Sequence, residues 1–539
     1  MNASDLSFDF LIVGAGTAGC VLANRLSADP AVRVALLEAG GPDSPWAIHV
    51  PAAVAAAIGN PELGWGYRSA PQQHLNGRQI PLPRGRVLGG CSSINGMVYF
   101  RGHAADFDDW ERAGAAGWSY SNVLPYFKRS ENNEAFTAAS LHGKGGPMNV
   151  IDIPRPNPLI HRFLEATTSL GYGRNADFSS GDPEGFGPRQ ATIRAGRRES
   201  MVTAYLNPVR GRPNLTVLTG ALVTQILLEG RKATGVEIER DGVRQRLLAR
   251  REVLLAAGAY ASPQLLQLSG IGDGRALQPL GIEVKHHLAG VGADLQDHPA
   301  AAIQMRTSDT SSYGLSVRAL PRGIWNVLEY AVARKGPLAS NVFEATGFVR
   351  TQPTLPRPDL QLVFMPTHRN ANGKPIPQGH GYGMIAIAVR PKSRGRVSLG
   401  SADPHAKPVI DANYLADPAD LQTLLAGLGI ARRVLAAPAF AALEATELLP
   451  GPAVQTEVDW SAYVRNTAVS VHHPTSTCRM GTDPLAVVDP HLQVHGMTGL
   501  RVVDASVMPV GVAGNCNAAI VMIAEKAADM ILGRPAAHD

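Results

Sequence analysis

Residues 8–27, "FDFLIVGAGTAGCVLANRLS", decide how the rest of the chain is read. An apolar run, Phe10–Val13, meets a glycine-rich turn and then an apolar pattern of helical period (Cys20, Leu22, Ala23, Leu26). "VRVALLEAG" (32–40) follows as a second apolar strand. Unbroken apolar strands joined through a helix predict a parallel sheet buried on both faces. Gly14, Gly16 and Gly19 stand after the strand and open the helix. There, positions without side chains let backbone N–H groups approach a pyrophosphate at the positive end of a helix. Glu38 closes the second strand, where a carboxylate can accept hydrogen bonds from an adenosine ribose. Glutamate rather than arginine at that point favours FAD or NAD over NADP.

The chain has 539 residues, enough for two or three domains, or for two that interleave. It is 45% hydrophobic and 18% charged, the composition of a globular protein with a large core. A net charge of +5 over this length is mild, and the basic cluster "RAGRRES" (194–200) reads as solvated surface rather than a nucleic-acid site. Cys20, Cys91, Cys478 and Cys516 are far apart and form no CxxC, which fits free thiols in a reducing compartment. The N-terminus shows no leader pattern and no run is long enough to cross a bilayer, so a cytoplasmic protein, soluble or peripherally attached to a membrane, is expected.

Residues 215–240 read as neighbouring antiparallel strands, and "REVLLAAGAYASPQLLQLSGIG" (251–272) as strand, glycine turn and helix. From about 300 to 460 the pattern turns to an antiparallel sheet, with an amphipathic helix in "DLQTLLAGLGIARRVLAAP" (420–438). "NAAIVMIAEKAADMILG" (517–533) is a second clear helix, with Asn517 placed as its cap. Alternating α/β and antiparallel blocks indicate interleaved domains.

"RGRVLGGCSSINGMVYFRG" (84–102) is a second glycine-dense loop, flanked by arginines. Alone it suits either a phosphate cradle or a surface loop; with the first motif, one cofactor spanning two loops is more economical. "VHHPTSTCRMG" (471–481) sets His472 beside His473, and adjacent histidines on an extended backbone point opposite ways. A zinc site there is disfavoured because adjacent residues make poor co-ligands and no third His or Cys lies at a usual short spacing; no metal is expected.

"GRVLGGCSSIN" (85–95) and "GAYASPQLLQLSGIG" (258–272) resemble the two signatures of the glucose–methanol–choline (GMC) flavin oxidoreductases. "VGADLQDH" (291–298), "PKSRGRVSLGSADP" (391–404), "HPTSTCRMG" (473–481) and residues 501–531 match the same family in order. "APQQHLNGR" and "RGHAADFDDW" are similar to its bacterial alcohol and choline dehydrogenases. The resemblance implies an α/β (α+β overall) protein. A Rossmann-like FAD-binding domain (1–155, 205–300 and 460–539) would interleave with a substrate-binding cap domain on an antiparallel sheet (156–204 and 301–459).

Carried over, the resemblance puts Gly14, Gly16 and Gly19 at the pyrophosphate, Glu38 at the adenosine ribose and the Val223 backbone near the adenine, with Thr17, Ala18, Ala39, Trp65, Arg86 and Val87 as further cofactor contacts. Gly90, Asn95 and Val98 would fall in the loop along the flavin, with Ser92, Gly96 and Met97 as further cofactor contacts. Asp504 and Ala505 would meet the ribityl and phosphate region and Asn517 and Ala518 the isoalloxazine, with Ala257 a further cofactor contact. Some relatives tether FAD through a histidine in the CSS-x-N loop; Ile94 stands there, implying non-covalent FAD. The family's catalytic histidine directly precedes proline, which selects His473 as general base; His472 becomes a pocket residue and His298 a structural one. Asn517 is matched to the second catalytic position, holding the alcohol oxygen while hydride passes from carbon to flavin N5. The family commonly has a small residue and Gly in place of Thr475 and Ser476, and Pro in place of Ala519.

The implied activity is oxidation of a primary alcohol to an aldehyde, with electrons passed to a quinone or other respiratory acceptor. Choline oxidation is the alternative, with Phe343, Glu344, Phe348 and Phe364 as candidate cage walls. An oxygen-using oxidase, and a non-redox lyase or photodecarboxylase on the same fold, are further readings. No nucleic-acid partner is expected, and peripheral membrane contact is compatible with a quinone-linked enzyme.

Overall fold

The computed structural model describes residues 7–368 and 378–537. Residues 1–6, where the N-terminus was read for a leader, lie outside the described residues. Strand β1 (Ser7–Val13), helix α1 (Thr17–Leu26) and strand β2 (Val34–Leu37) form as the opening motif predicts. β1 and β2 pair in parallel, Phe10 opposite Val34 through Val13 opposite Leu37, and every residue of β2 is buried. Strand 243–255 flanks β1 in parallel, and Leu500–Val502 adds to its far side. Polar–apolar alternation is absent from Phe10–Val13 of β1 and from β2 because both faces are covered there, as a parallel sheet requires.

The edge strands differ from the sequence reading. Leu215–Leu218 pairs in parallel with β2, from Val34 opposite Leu215 onward, and is not part of an antiparallel set. Only Leu222–Glu229, Lys232–Arg240 and Val243–Leu255 form the antiparallel meander. The chain changes direction at residues 219–221, where the Gly220 and Ala221 N–H groups donate to the carbonyls of Gly40 and Glu38. That cross-over lies in a tertiary contact with no local signal.

The second large sheet runs 345–349, 360–365, 380–388, 299–307 and 446–449, with Val469–Ser470 beside 299–307. Its neighbours are antiparallel throughout. Helix Pro418–Leu435, capped by the Asp417 side chain on the Ala419 N–H, covers one face with Leu424, Leu428 and Ala431. The short strand Val469–Ser470 hands the chain directly from this sheet into the histidine segment. The site therefore sits where the two sheets meet.

Candidate active site

Two glycine loops interlock at the carboxyl end of β1. Gly14 has φ +100°, and a Cβ there would lie 2.6 Å from the Ala256 carbonyl oxygen. Gly90 has φ +51°, and its Cβ would lie 2.8 Å from the Cα of Gly16. Neither position admits a side chain, so backbone from both loops forms one cradle. Gly16 caps α1, which leaves the first N–H groups of that helix without intrahelical partners. Helix Asn517–Ile531 packs on α1, and its first side chain reaches across: Thr17 Oγ1 donates to Asn517 Oδ1 at 2.9 Å. Two positive helix ends thus converge on the cradle.

Glu38 is buried at the end of β2, accepting from the N–H groups of Ala15 (3.1 Å) and Gly40 (2.8 Å). Burial pushes its pKa up to about 7, against the pull of those donors and of Arg86. Arg86 stacks on Trp65, 5.1 Å from the ring centre, and Val87 bridges Gly41, so both flank the Glu38–Gly41 turn. Ala39 is half-buried in that turn, and Val223 lies half-buried on the meander. Asp504 accepts from the Gly258 N–H (2.8 Å), Ser262 Oγ (2.5 Å) and the Ser506 N–H (2.8 Å), tying Ala257 and Ala505 to the same wall.

The second loop is held from behind by a residue that reads in the sequence as solvated. Arg198 is buried, donating to the carbonyls of Ile48 and Asn95 and to Asn95 Oδ1. Burial lowers its pKa to about 9, and its Nη2 has no hydrogen-bond partner among the described residues. Ser92 is braced too, donating to Gly89 O and accepting from the Met201 N–H. Asn95 Oδ1 also accepts from the Met97 N–H, and the Gly96 carbonyl accepts from Asn341 Nδ2. Met97 (φ +54°) and Val98 follow, both buried.

Asp297 organises the histidine segment. Its Oδ1 accepts from the N–H groups of His298 (2.9 Å) and His473 (2.8 Å), and its Oδ2 from Tyr414 (2.5 Å) and Ser470 (2.5 Å). His473 Nδ1 lies 3.1 Å from His298 Nδ1, and His473 Nε2 lies 3.0 Å from Asn515 Nδ2. Asn515 Oδ1 in turn accepts from Arg189 Nη2 at 2.8 Å. An arginine can only donate, so the Asn515 amide has its Nδ2 toward His473. His473 Nε2 is therefore the unprotonated nitrogen, and its proton sits on Nδ1, donated to His298. His298 then carries its own proton on Nε2, since its Nδ1 accepts from His473.

Burial is the main cause holding His473 well below the usual histidine range, reinforced by His298, His472, Arg84 and Arg189. Burial likewise holds His298 at about 4, so both rings are neutral at pH 7. His472 has φ +69°, donates its N–H to Ser470 Oγ and gives its carbonyl to Arg84. Its Nδ1 has no hydrogen-bond partner among the described residues, and burial lowers its pKa to about 4. Ser476 has φ +75°, the left-handed conformation that favours the glycine common in the family.

Several sequence-predicted residues land elsewhere. The structure brings Asn515, not Asn517, to His473; Asn517 is the first helical residue, bonded to Thr17, and makes no side-chain cap. His298 touches His473 rather than serving packing alone. Phe364 is enclosed in the second sheet's core, stacked 4.9 Å from Phe163, and Phe348 stacks on Phe100. Glu344 turns its carboxylate to the Asn157 N–H (2.7 Å), Tyr313 (2.7 Å) and Ser340. Phe343 lies against the 90–98 loop, with its ring over Gly96. No cluster of three metal-ligating side chains occurs among the described residues.

A glycine cradle and a buried, oriented imidazole, joined through the 515–517 turn, are the parts a cofactor-dependent oxidoreductase requires. Comparison with known proteins makes this specific. Residues 8–300 and 391–524 match the N- and C-terminal models of the GMC oxidoreductases, and the chain belongs to that family. It is 44% identical to "Alcohol dehydrogenase [acceptor]" of Pseudomonas putida over 97% of this chain and 96% of that one. It is 43% identical to the mitochondrial choline dehydrogenase of Homo sapiens, over 99% and 91%. Among solved structures, pyridoxine 4-oxidase from Mesorbium loti superposes with a TM-score of 0.88 at 32% identity, covering 98% of this chain and 100% of that one. A formate oxidase superposes with a TM-score of 0.91 at 28% identity, covering 98% of each. FAD is the family's cofactor and the cofactor of this chain. The interlocked loops, the buried Glu38 and the two helix ends fit its pyrophosphate and adenosine, and the braced 90–98 loop fits its ring.

Proposed function

We propose that the protein oxidises a primary alcohol to an aldehyde, with His473 as the base and Asn515 as the alcohol's second hydrogen-bond partner. FAD, when bound, supplies the hydride acceptor. The observation that carries the reading is the chain Arg189–Asn515–His473–His298, which sets an unprotonated Nε2 against the Asn515 amide N–H, a bond that an alcohol hydroxyl could take over by accepting from the amide and donating to the imidazole. An alcohol oxygen can accept from Asn515 Nδ2 while its proton points at His473 Nε2. Burial keeps His473 neutral at pH 7, so Nε2 is free of a proton and can take the hydroxyl's.

Arg189 also favours an uncharged alcohol over choline. Its guanidinium is buried, its pKa lowered by burial to about 9 but still cationic at pH 7, and Asn515 is its one side-chain hydrogen-bond partner among the described residues. A cation beside the base opposes a trimethylammonium group. The carboxylate expected to attract one, Glu344, is occupied elsewhere. Turnover of medium-chain primary alcohols is expected to exceed that of choline at least tenfold in kcat/KM with a soluble dye as acceptor. Preferential turnover of choline would overturn the substrate assignment.

Ile94 is buried among Ile48, Leu63 and Val87 and offers no nucleophile for attachment. Denaturation is expected to release all flavin into the protein-free filtrate; flavin retained on the polypeptide would contradict non-covalent binding. A quinone or other non-oxygen acceptor completes the reading, supported by the similarity to an acceptor-linked dehydrogenase. Vigorous peroxide formation during turnover in air would convert it to an oxidase.

A further inference from the structure

Helix Leu320–Ala333 has its polarity inverted. Its protein-facing positions are Gly323, Asn326, Glu329 and Tyr330, of which Tyr330 alone is buried. Tyr330 donates to the Gly196 carbonyl, and Glu329 pairs with Arg155. The solvent side carries Leu320, Ile324, Trp325, Leu328 and Val332, with Trp325 65% and Val332 87% exposed. Val317, just before the helix, is 90% exposed. An ordinary surface helix turns such a stripe inward. A contiguous exposed apolar face of this size marks a docking surface.

The charges around the stripe identify its occupant. Arg318, Arg322, Arg334 and Lys335 are exposed along the helix and at its two ends. Glu329 is the one carboxylate between residues 311 and 336, and Arg155 neutralises it. An apolar face with an interfacial tryptophan, rimmed by cations, suits the headgroup region of an anionic bilayer. At 14 residues the helix is about 21 Å long, too short to span. No described helix is long and apolar enough to cross a membrane.

We propose that this helix lies in the surface of an anionic phospholipid membrane as a one-leaflet anchor. The segment that follows it runs to the flavin loop, where Asn341 bonds the Gly96 carbonyl and Phe343 covers Gly96. Docking thus links the membrane-facing helix to the 90–98 loop through Asn341, eight residues past the helix end. The docking stands on this surface alone; its use in delivering electrons to a lipid-soluble quinone rests on the function proposed above.

The test is flotation of the FAD-loaded full chain with phosphatidylcholine vesicles, with and without phosphatidylglycerol. Dye-coupled alcohol oxidation and oligomeric state are measured alongside. Wild type is expected to float with the phosphatidylglycerol vesicles. The double variant Trp325→Glu/Leu328→Glu is expected to lose roughly tenfold or more of that binding while dye-coupled activity holds. Arg318→Glu/Arg322→Glu is expected to lose it by a similar factor, as high salt does to the wild type. Wild type that does not float, or apolar-face variants that float equally, overturns the proposal. So does a wild-type dimer that the apolar-face variant makes monomeric while vesicle binding is absent. Flotation without any alcohol-dependent flavin reduction keeps the anchor and refutes the function instead.

Discussion

Replacing His473 with alanine is expected to slow alcohol-dependent flavin reduction by ~10²–10⁴-fold, the usual worth of a positioned general base. FAD content is expected to stay at the wild-type level, because His473 bonds to Asp297, His298 and Asn515 and not to the glycine cradle. The pH profile sharpens the assignment. The base works only when neutral, and burial depresses its pKa, so it becomes protonated only at pH well below 6.5. The acid limb of kcat/KM should therefore lie below the ordinary histidine value, with a plateau through pH 7. Unchanged reduction in His473→Ala, or an acid limb above pH 6.5, would contradict the role.

Asn515→Ala and Asn517→Ala are expected to part company. Loss of Asn515 removes the alcohol's donor and also frees His473 from the partner that sets its tautomer, so reduction should fall by ~10²-fold or more. Loss of Asn517 removes the bond to Thr17 at the junction of two helix starts. That is worth about 1 kcal/mol, and should appear as weaker FAD retention or a lower melting temperature, with the rate of the FAD-loaded enzyme within a few-fold of wild type. Equal losses, or the reverse ranking, would return the catalytic position to Asn517.

The contrast between these two asparagines shows where sequence reading stops. Both stand in "GNCN", and which one faces His473 depends on where the last helix begins. Cys516 takes the cap position, turning Asn517 into the helix and leaving Asn515 on the approaching loop. The opening β1–turn–α1 motif was legible because its period and glycines are local. Glu38 was legible because strand length sets its place. Arg198 was not, since a basic cluster looks solvated until the loop it braces is packed over it. Arg189, between a proline and a glutamine, carries no pattern at all; its meaning comes from the amide it meets across 326 residues. Thr475 and Ser476 depart from the family's usual residues. The structure explains the second, a φ of +75° where glycine is easier, and nothing in it explains the first.

The histidine pair resolves the same way. His472, with its left-handed backbone, and His473, held by Asp297, are neighbours with different partners. The single most direct test is anaerobic mixing of the FAD-loaded protein with a medium-chain primary alcohol while the visible flavin absorbance is followed. Bleaching, with aldehyde formed in equal amount, is the predicted result. A flavin that no alcohol bleaches would show that the fold and cradle serve some other chemistry.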